Sequence, residues 1–319
     1  MRVLFITATR IGDAVLSTGL LSHLVERHPA ARFTIAAGPA AAPLFEAVPR
    51  LERLLVVAKR RWSLHWLALY AAVVGTRWDV VLDLRGSALG YLVRAGQRLG
   101  EVKSAAGEHR ILQLARILAL ETPPAPVLYI AARHERLAAE LVPAGAPVLA
   151  IGPAANWRGK QWRAERFAEL ALRLTVPGGI LAGARVAVLA AAHERAQAAP
   201  LLAAIPGERL IDLVGRLDLL TAGAVLRRAA LFIGNDTGLM HIAAAAGAPT
   251  LGLFGPTQSS RYAPWGARTA VAQTAIPPLD LYGPDFDHRT TDTMMDSLSV
   301  DAAEAAAGKL WRSIAGEAA

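Results

Sequence analysis

Three polar loops, each following an apolar run and leading into a helical pattern, hold the side chains best suited to chemistry. In the first, residues 7–13, Gly12 permits a tight turn and Asp13 stands just ahead of a helix expected from about Ala14. An aspartate there can cap the helix by accepting backbone N–H groups. It can equally act as a general base that takes a proton from a hydroxyl. Both uses draw on the same lone pairs, and a capped carboxylate is the weaker base because bonding stabilises its charged form. The second loop, residues 152–162, carries Asn156, Arg158 and Lys160 ahead of a helix starting near Ala164. Such a loop suits a diphosphate. It lacks the Gly-Lys-[Ser/Thr] order of a Walker loop, and a plain basic surface loop is the alternative.

The third loop follows the buried run 231–233 and reads Gly234-Asn235-Asp236-Thr237-Gly238-Leu239-Met240-His241. A small-residue helix continues to Ala246. The backbone N–H groups of Thr237, Gly238 and Leu239, together with the helix dipole, form an anion site that no side chain at Gly238 obstructs. Asp236 is itself anionic, so sugar hydroxyls suit it better than phosphate; capping the helix is its alternative use, and for His241 a place on the helix face. The next apolar run, 250–254, ends in a second sharp turn, Gly255-Pro256-Thr257.

The elements that must hold these loops are legible as alternating apolar runs and helical patterns. Strands are expected at 3–7, 33–37, 54–57, 80–84, 148–151, 186–190, 210–214, 231–233 and 250–254, and helices at 14–26, 164–174 and 219–229. Repeated strand–helix units with fully apolar strands imply parallel sheets covered on both faces. Pro143, Gly145 and Pro147 mark a break. The expected fold is α/β: two Rossmann-like, doubly wound parallel-sheet domains facing across a cleft, spanning 1–145 and 146–300. A final helix within 301–319 is expected to pack back across the junction. Ligands in such sheets bind at the carboxyl ends of the strands.

Bulk composition narrows the classes. The chain has 319 residues and no cysteine, which excludes disulfides, Cys-ligated zinc and thiol catalysis. A net charge of +8 points to an anionic partner. Arginine is spread along the chain, which argues against a nucleic-acid arm. The opening run 3–6 is too short for a signal-peptide core and no cleavage site follows it. The uncharged stretch 237–260 is interrupted by glycines and prolines, so no transmembrane segment is expected.

At these loops the chain resembles glycosyltransferase family 9, the heptosyltransferases of the lipopolysaccharide inner core. Arg10-Ile11-Gly12-Asp13, Lys160-Gln161-Trp162, and Asn235-Asp236-Thr237-Gly238-Leu239-Met240-His241 with Gly255-Pro256-Thr257 carry the resemblance, in an order that covers most of the chain. The resemblance implies a GT-B fold, with inverting transfer that needs no metal or cofactor. It makes Asp13 the general base and Lys160 the stabiliser of the donor phosphates. Asn156, Asp236, Thr237, Gly238, Leu239, Met240 and His241 would bind a nucleotide-sugar donor, ADP-heptose in this family. Gly12, Lys59, Arg60 and Arg61 would serve an anionic glycolipid acceptor, with Trp62, His65 and Trp66 beside them suiting an anionic membrane face. A cytoplasmic location, peripheral on the inner membrane, and no nucleic-acid partner follow from the same resemblance.

Two departures stand out. Ala155 and Asn156 occupy positions where the family often has hydroxyl residues, and Leu219, Leu220 and Thr221 occupy a helix start where it often has a glutamate. Asp285-Phe286-Asp287 mimics the metal-binding Asp-x-Asp of another glycosyltransferase fold and reads as a coincidence. The competing readings of the same loops are a family 9-like transferase with another nucleotide-sugar donor, a non-transferring nucleotide-sugar hydrolase or epimerase, and a binding protein.

Overall fold

The computed structural model describes residues 1–59, 61–100, 102–283 and 286–317. The chain forms two compact units, Met1–Ala131 and Ala132–Ala319. The first unit runs β1 (Arg2–Ile6), α1 (Ile11–Arg27), β2 (Arg32–Ala37), β3 (Leu51–Val56), α2 (Leu64–Val73), β4 (Trp78–Asp83), α3 (Leu89–Leu92), β5 (Ala95–Gly100) and α4 (Arg110–Ile117). Its five strands lie parallel in the order β3-β2-β1-β4-β5. Val3, Leu4, Phe5 and Ile6 of the central strand are fully buried. Cover on both faces is what a continuous apolar strand requires.

The second unit runs α5 (Ala132–Leu141), β6 (Val148–Gly152), α6 (Ala164–Thr175), β7 (Arg185–Val188), α7 (Arg195–Ala204), β8 (Leu210–Asp212), α8 (Leu219–Arg227), β9 (Leu231–Asn235), α9 (Gly238–Ala245), β10 (Thr250–Phe254), α10 (Ser259–Tyr262), β11 (Thr269–Gln273) and α11 (Val300–Glu317). Its six strands are also parallel, in the order β11-β10-β9-β6-β7-β8. Each unit is therefore the doubly wound sheet expected from the sequence. The core of the second unit gathers Trp162, Phe167, Leu170 and Leu174 against Ile151, Ile233 and Leu253. The rings of Trp162 and Phe167 meet edge to face at 4.9 Å.

All nine expected strands are present, and two more border the sheets. β5 and β11 lack an apolar run because each is an edge strand. The exposed pattern of β5 and the half-buried pattern of β11 let polar residues and glycine stand there.

The break between units differs from the expectation at 141–147. That segment is tied into the second unit: Arg185 Nη2 donates to the carbonyls of Pro143 (2.7 Å) and Ala146 (3.1 Å), and Arg228 Nε donates to Val142 (2.8 Å). Helix α5 packs on α8, where Glu135 pairs with Arg227 at 2.6 Å. Upstream, Val127 N donates to Thr18 Oγ1 (2.9 Å) and the Tyr129 hydroxyl to Ser22 (3.1 Å), which holds 127–129 to the first unit. The crossover is thus Ala131–Ala132, a stretch with no proline or glycine to mark it. Helix α11 packs on α6, β10 and β11 of its own unit. Arg173 on α6 secures it through Asp301 (2.6 Å) and Glu304 (3.0 Å).

One glycine sets how closely α9 can lie on its sheet. A Cβ on Gly252 of β10 would stand 2.5 Å from Met240 Sδ and 2.9 Å from the Phe254 ring. Gly252→Ala is therefore expected to destabilise the second unit by about 1–3 kcal/mol through overpacking. A lower denaturant midpoint for that unit would show it; an unchanged midpoint would mean α9 is free to shift.

Candidate functional site

In the second unit the strand order reverses at β6, where the chain leaves β8 on one side and returns as β9 on the other. The carboxyl ends of β6 and β9 therefore flank a topological switch point, the usual ligand crevice of such sheets. Two of the three chemically promising loops, 153–163 and 236–237, start there.

The two loops are joined by charge. Lys160 Nζ donates to Asp236 Oδ2 at 2.7 Å. Thr257 Oγ1, from the turn after β10, donates to the same oxygen at 2.7 Å. The Asp236 side chain is 8% exposed and that of Lys160 21%. A carboxylate buried to that degree requires such partners. The capping role is excluded for Asp236, because α9 starts after Thr237 and has no side-chain cap bond. Thr257 completes the constellation and escaped the sequence reading; its position in the Gly-Pro-Thr turn at a strand's carboxyl end was the available signal.

The residue before Asp236 does structural work. Asn235 is fully buried, accepts from Trp162 N at 3.1 Å and donates to the Pro153 carbonyl at 2.7 Å. It staples both ends of the Lys160 loop to β9. Gln161 closes the loop internally by donating to the Ala155 carbonyl at 2.8 Å.

A second clasp comes from the segment ahead of α11. Arg158 pairs with Asp292 (2.7 Å), and Arg163 with Asp296 (2.6 Å) and Asp292 (3.3 Å). Met294 N donates to the Gly159 carbonyl at 3.0 Å, and Thr293 Oγ1 to that of Gln161. The Trp157 ring stacks on His288 at 4.7 Å and lies so close over Gly159 that a Cβ there would meet it at 2.7 Å. The bond from Arg163 holds the Asp296 carboxyl below the usual range. The Thr293 backbone N–H and then Arg158 do the same for Asp292. Asp287 accepts from the backbone of Arg289 at 2.9 Å, an ordinary turn; Asp285 of the same Asp-x-Asp lies outside the described residues.

The other expected donor residues lie on the Lys160 loop and at the start of α9. Thr237, Gly238 and Leu239 are half-exposed at the start of α9, whose first-turn N–H groups have no intrahelical acceptor. Met240 and His241 are buried, Met240 against β10. Asn156 is exposed on the loop.

In the first unit, Asp13 sits differently from the expectation. Helix α1 begins at Ile11 with Arg10 at the N-cap, so Gly12 and Asp13 are its second and third residues. Among the described residues no hydrogen bond or ion pair engages the half-buried Asp13 carboxylate, and the helix N-terminus favours its charge. It is an uncapped carboxylate at the carboxyl end of β1, beside the reversal between β1 and β4. At the end of β4, buried Asp83 accepts from the backbones of Arg85 and Ser87, each at 2.9 Å, and from the Ser87 hydroxyl. Gly86, with φ of 60°, makes that turn possible. The turn lifts the Arg85 guanidinium over the Trp66 ring at 4.6 Å. Burial lowers the Arg85 pKa, partly opposed by Asp83. Arg85 was missed in sequence, where only a strand end was visible. Lys59 and Arg61 are exposed; Arg60 lies outside the described residues. Among the described residues no group of three or more His, Asp and Glu side chains is placed to hold a metal.

The model of glycosyltransferase family 9 (heptosyltransferase) matches residues 102–280. The lipopolysaccharide heptosyltransferase 1 of Salmonella typhimurium strain LT2 is 26% identical over 298 residues, 81% of this chain and 89% of that protein. That of Pseudomonas aeruginosa PAO1 is 28% identical over 292 residues, 81% of this chain and 79% of that protein. Among solved structures, the Escherichia coli ADP-heptose lipopolysaccharide heptosyltransferase II superposes with a TM-score of 0.77 at 18% identity, over 98% of this chain and 99% of that one. The likeness extends over both units and shows the same GT-B fold.

Two outcomes follow from the site's supports. Asn235→Ala strips partners from a buried N–H and a buried carbonyl, and is expected to cost about 2–4 kcal/mol of stability; a cost under about 0.5 kcal/mol would mean the staple is dispensable. The depressed Asp296 carboxyl contributes stability that is present above the unfolded value of about 3.9 and lost as pH falls through the lower folded value. Wild type should therefore melt ~2 °C above Asp296→Asn at neutral pH, with the gap closing below about pH 4. A gap that is constant across a melting series from neutral to acid would refute the clasp's charge.

Proposed function

The chain belongs to glycosyltransferase family 9 and is a glycosyltransferase, and we propose that it moves heptose from ADP-heptose onto an anionic lipopolysaccharide-core acceptor with inversion at the anomeric carbon. The observation that carries this reading is the Lys160–Asp236 pair at 2.7 Å, set beside the N-terminus of α9. The likeness to the Escherichia coli ADP-heptose lipopolysaccharide heptosyltransferase II supports the choice of donor.

The charges explain the division of labour. A lone buried aspartate would repel a diphosphate. Paired with Lys160 it does not, and an ammonium has three donors, so Lys160 can keep Asp236 while engaging a phosphate oxygen. The α9 N–H groups take further phosphate oxygens. Lys160 and Thr257 both occupy Asp236 Oδ2, which leaves Oδ1 for the hydroxyls of the donor sugar. Asn156, Thr237, Gly238 and Leu239 line the donor; Met240 and His241 shape the site from beneath.

In the transfer step Asp13 accepts the proton of the acceptor hydroxyl. The freed oxygen forms a bond to the anomeric carbon from the face opposite the nucleotide. The bond from that carbon to the diphosphate oxygen breaks, and ADP departs with the electron pair, its added charge met by Lys160 and the helix N-terminus. The chain itself thus supplies the positive charge, and the reading invokes no metal or cofactor. Gly12 lets the acceptor approach Asp13, and Lys59, Arg60 and Arg61 hold its anionic groups. Nucleic acid has no part in this reading, which places the reaction at the cytoplasmic face of the inner membrane.

Release of ADP from ADP-heptose in the presence of a deacylated inner-core acceptor tests the assignment. Asp13→Ala should lower kcat by about 10²–10⁴ while calorimetric affinity for ADP stays the same. Lys160→Ala should lower kcat by about 10²–10³ and also weaken ADP binding. A full transfer rate in Asp13→Ala would remove the base. Turnover of donor without any acceptor would replace transfer by hydrolysis or epimerisation.

A further inference from the structure

Helix α2 has apolar residues all round. Its sequence, Leu-His-Trp-Leu-Ala-Leu-Tyr-Ala-Ala-Val, contains no Asp, Glu, Lys or Arg. A helix of that composition belongs in a buried core or against an apolar medium. Only one stripe is buried, His65, Leu69 and Val73. The opposite stripe, Leu64, Leu67, Ala68 and Ala71, is exposed, with Leu67 63% accessible.

The exposed stripe has a neighbour. Helices α2 and α3 touch, and Leu69, Val73, Leu89 and Val93 join one cluster on the same face of the first sheet. The outward residues of α3, Tyr91 and Leu92, are 82% and 62% accessible. Trp62, at the head of α2, is 85% accessible. Trp62 and Ser63 both hold the left-handed backbone conformation, φ of 55° and 56°, which costs free energy for residues with side chains. Packing within the unit does not repay holding Trp62 in the open. A patch of this kind marks a surface that meets an apolar partner.

The charges around the patch choose the partner. Between residues 54 and 100 the chain has seven Lys and Arg but only two carboxylates, Asp79 and Asp83. Asp83 is taken up by its own turn, and Asp79 faces the chain's amino terminus and accepts from Arg2 N at 2.6 Å. Lys59, Arg61, Arg77 and Arg94 are exposed. An exposed apolar helix face with a tryptophan and a tyrosine, on a stretch of chain rich in exposed cations, matches the interface of an anionic bilayer.

We propose that the outer face of α2 and α3 is a membrane-docking surface, on which Trp62, Leu64, Leu67, Tyr91 and Leu92 enter the headgroup region of an anionic bilayer while the exposed Arg77 and Arg94 hold lipid phosphates. This deepens the proposed function, resting on its bilayer-borne acceptor, by assigning the face that meets the bilayer. Docking of this kind does not require the glycolipid itself.

Sedimentation of the full chain with vesicles of phosphatidylcholine mixed with phosphatidylglycerol, and with phosphatidylcholine alone, is the test. Wild type should sediment with the anionic vesicles, much less with the neutral ones, and less as salt rises. Leu64→Glu/Leu67→Glu and, separately, Tyr91→Glu should each weaken anionic-vesicle binding at least about tenfold, since each places a carboxylate at the apolar boundary. Unchanged circular dichroism and an unchanged rate of transfer to the deacylated acceptor would show that the variants are intact. Failure of wild type to bind anionic vesicles, or equal binding by all variants, overturns the proposal. So does a wild-type dimer in analytical ultracentrifugation that the double variant dissolves, which would give the face to a second copy. The vesicles carry no glycolipid, so a failure of the transfer reading leaves this result standing, and the reverse.

Discussion

A carboxylate held almost out of water sets the terms for the second unit. Asp236 carries its charge in an ion pair with Lys160, and a charge so little exposed must be paired. The partner, Lys160, comes from a loop 76 residues earlier in the chain. Removing one member of such a pair costs about 3–5 kcal/mol, since the other is left without compensation. The loop that carries Lys160 has therefore to be fixed from several directions. Asn235 holds it from beneath, Trp162 anchors its end in the core, and the aspartates ahead of α11 clamp its outer side. Much of what looks like incidental polar decoration in residues 286–298 is the support for a single ammonium group.

The first unit solves a different problem. Among the described residues nothing pairs with the Asp13 carboxylate, which stands in the first turn of α1. A base that must pick up a proton cannot have its lone pairs fully committed, because each bond to the charged form weakens its basicity. Asp236 and Asp83 show the contrast. Both are buried, both are bonded, and both act as structural or binding charges. Three aspartates at the carboxyl ends of strands thus divide by how many partners each one has.

The parts legible in sequence were those with a local physical signature. Buried parallel strands announce themselves as apolar runs, and the loops after β1, β6 and β9 stood out because polar residues interrupt those runs. Edge strands β5 and β11 did not, because half-exposed strands need no apolar run. The crossover at Ala131–Ala132 was hidden for a related reason. Prolines and a glycine at 143–147 look like a linker, but their carbonyls are taken by Arg185 and Arg228, and sequence does not show where a carbonyl is bonded. Of the two uses open to Asp13, capping falls away because the helix starts at Ile11 and not at Ala14. The contacts of Thr257 with Asp236 and of Arg85 with Trp66 join different elements, and no local pattern names the partner.

Helix α2 makes the same limit instructive. Its composition alone fits a core helix, and nothing in residues 64–73 distinguishes that use from an interfacial one. What separates them is a quantity that only packing supplies: which stripe the neighbouring elements cover. The fold spends His65, Leu69 and Val73 on the sheet and leaves Leu64 and Leu67 outside. Their exposure beside Trp62 is what the proposed docking surface rests on. On the proposals made above, Asp13 would handle the reactive hydroxyl of the acceptor, and the α2 face the medium that carries it.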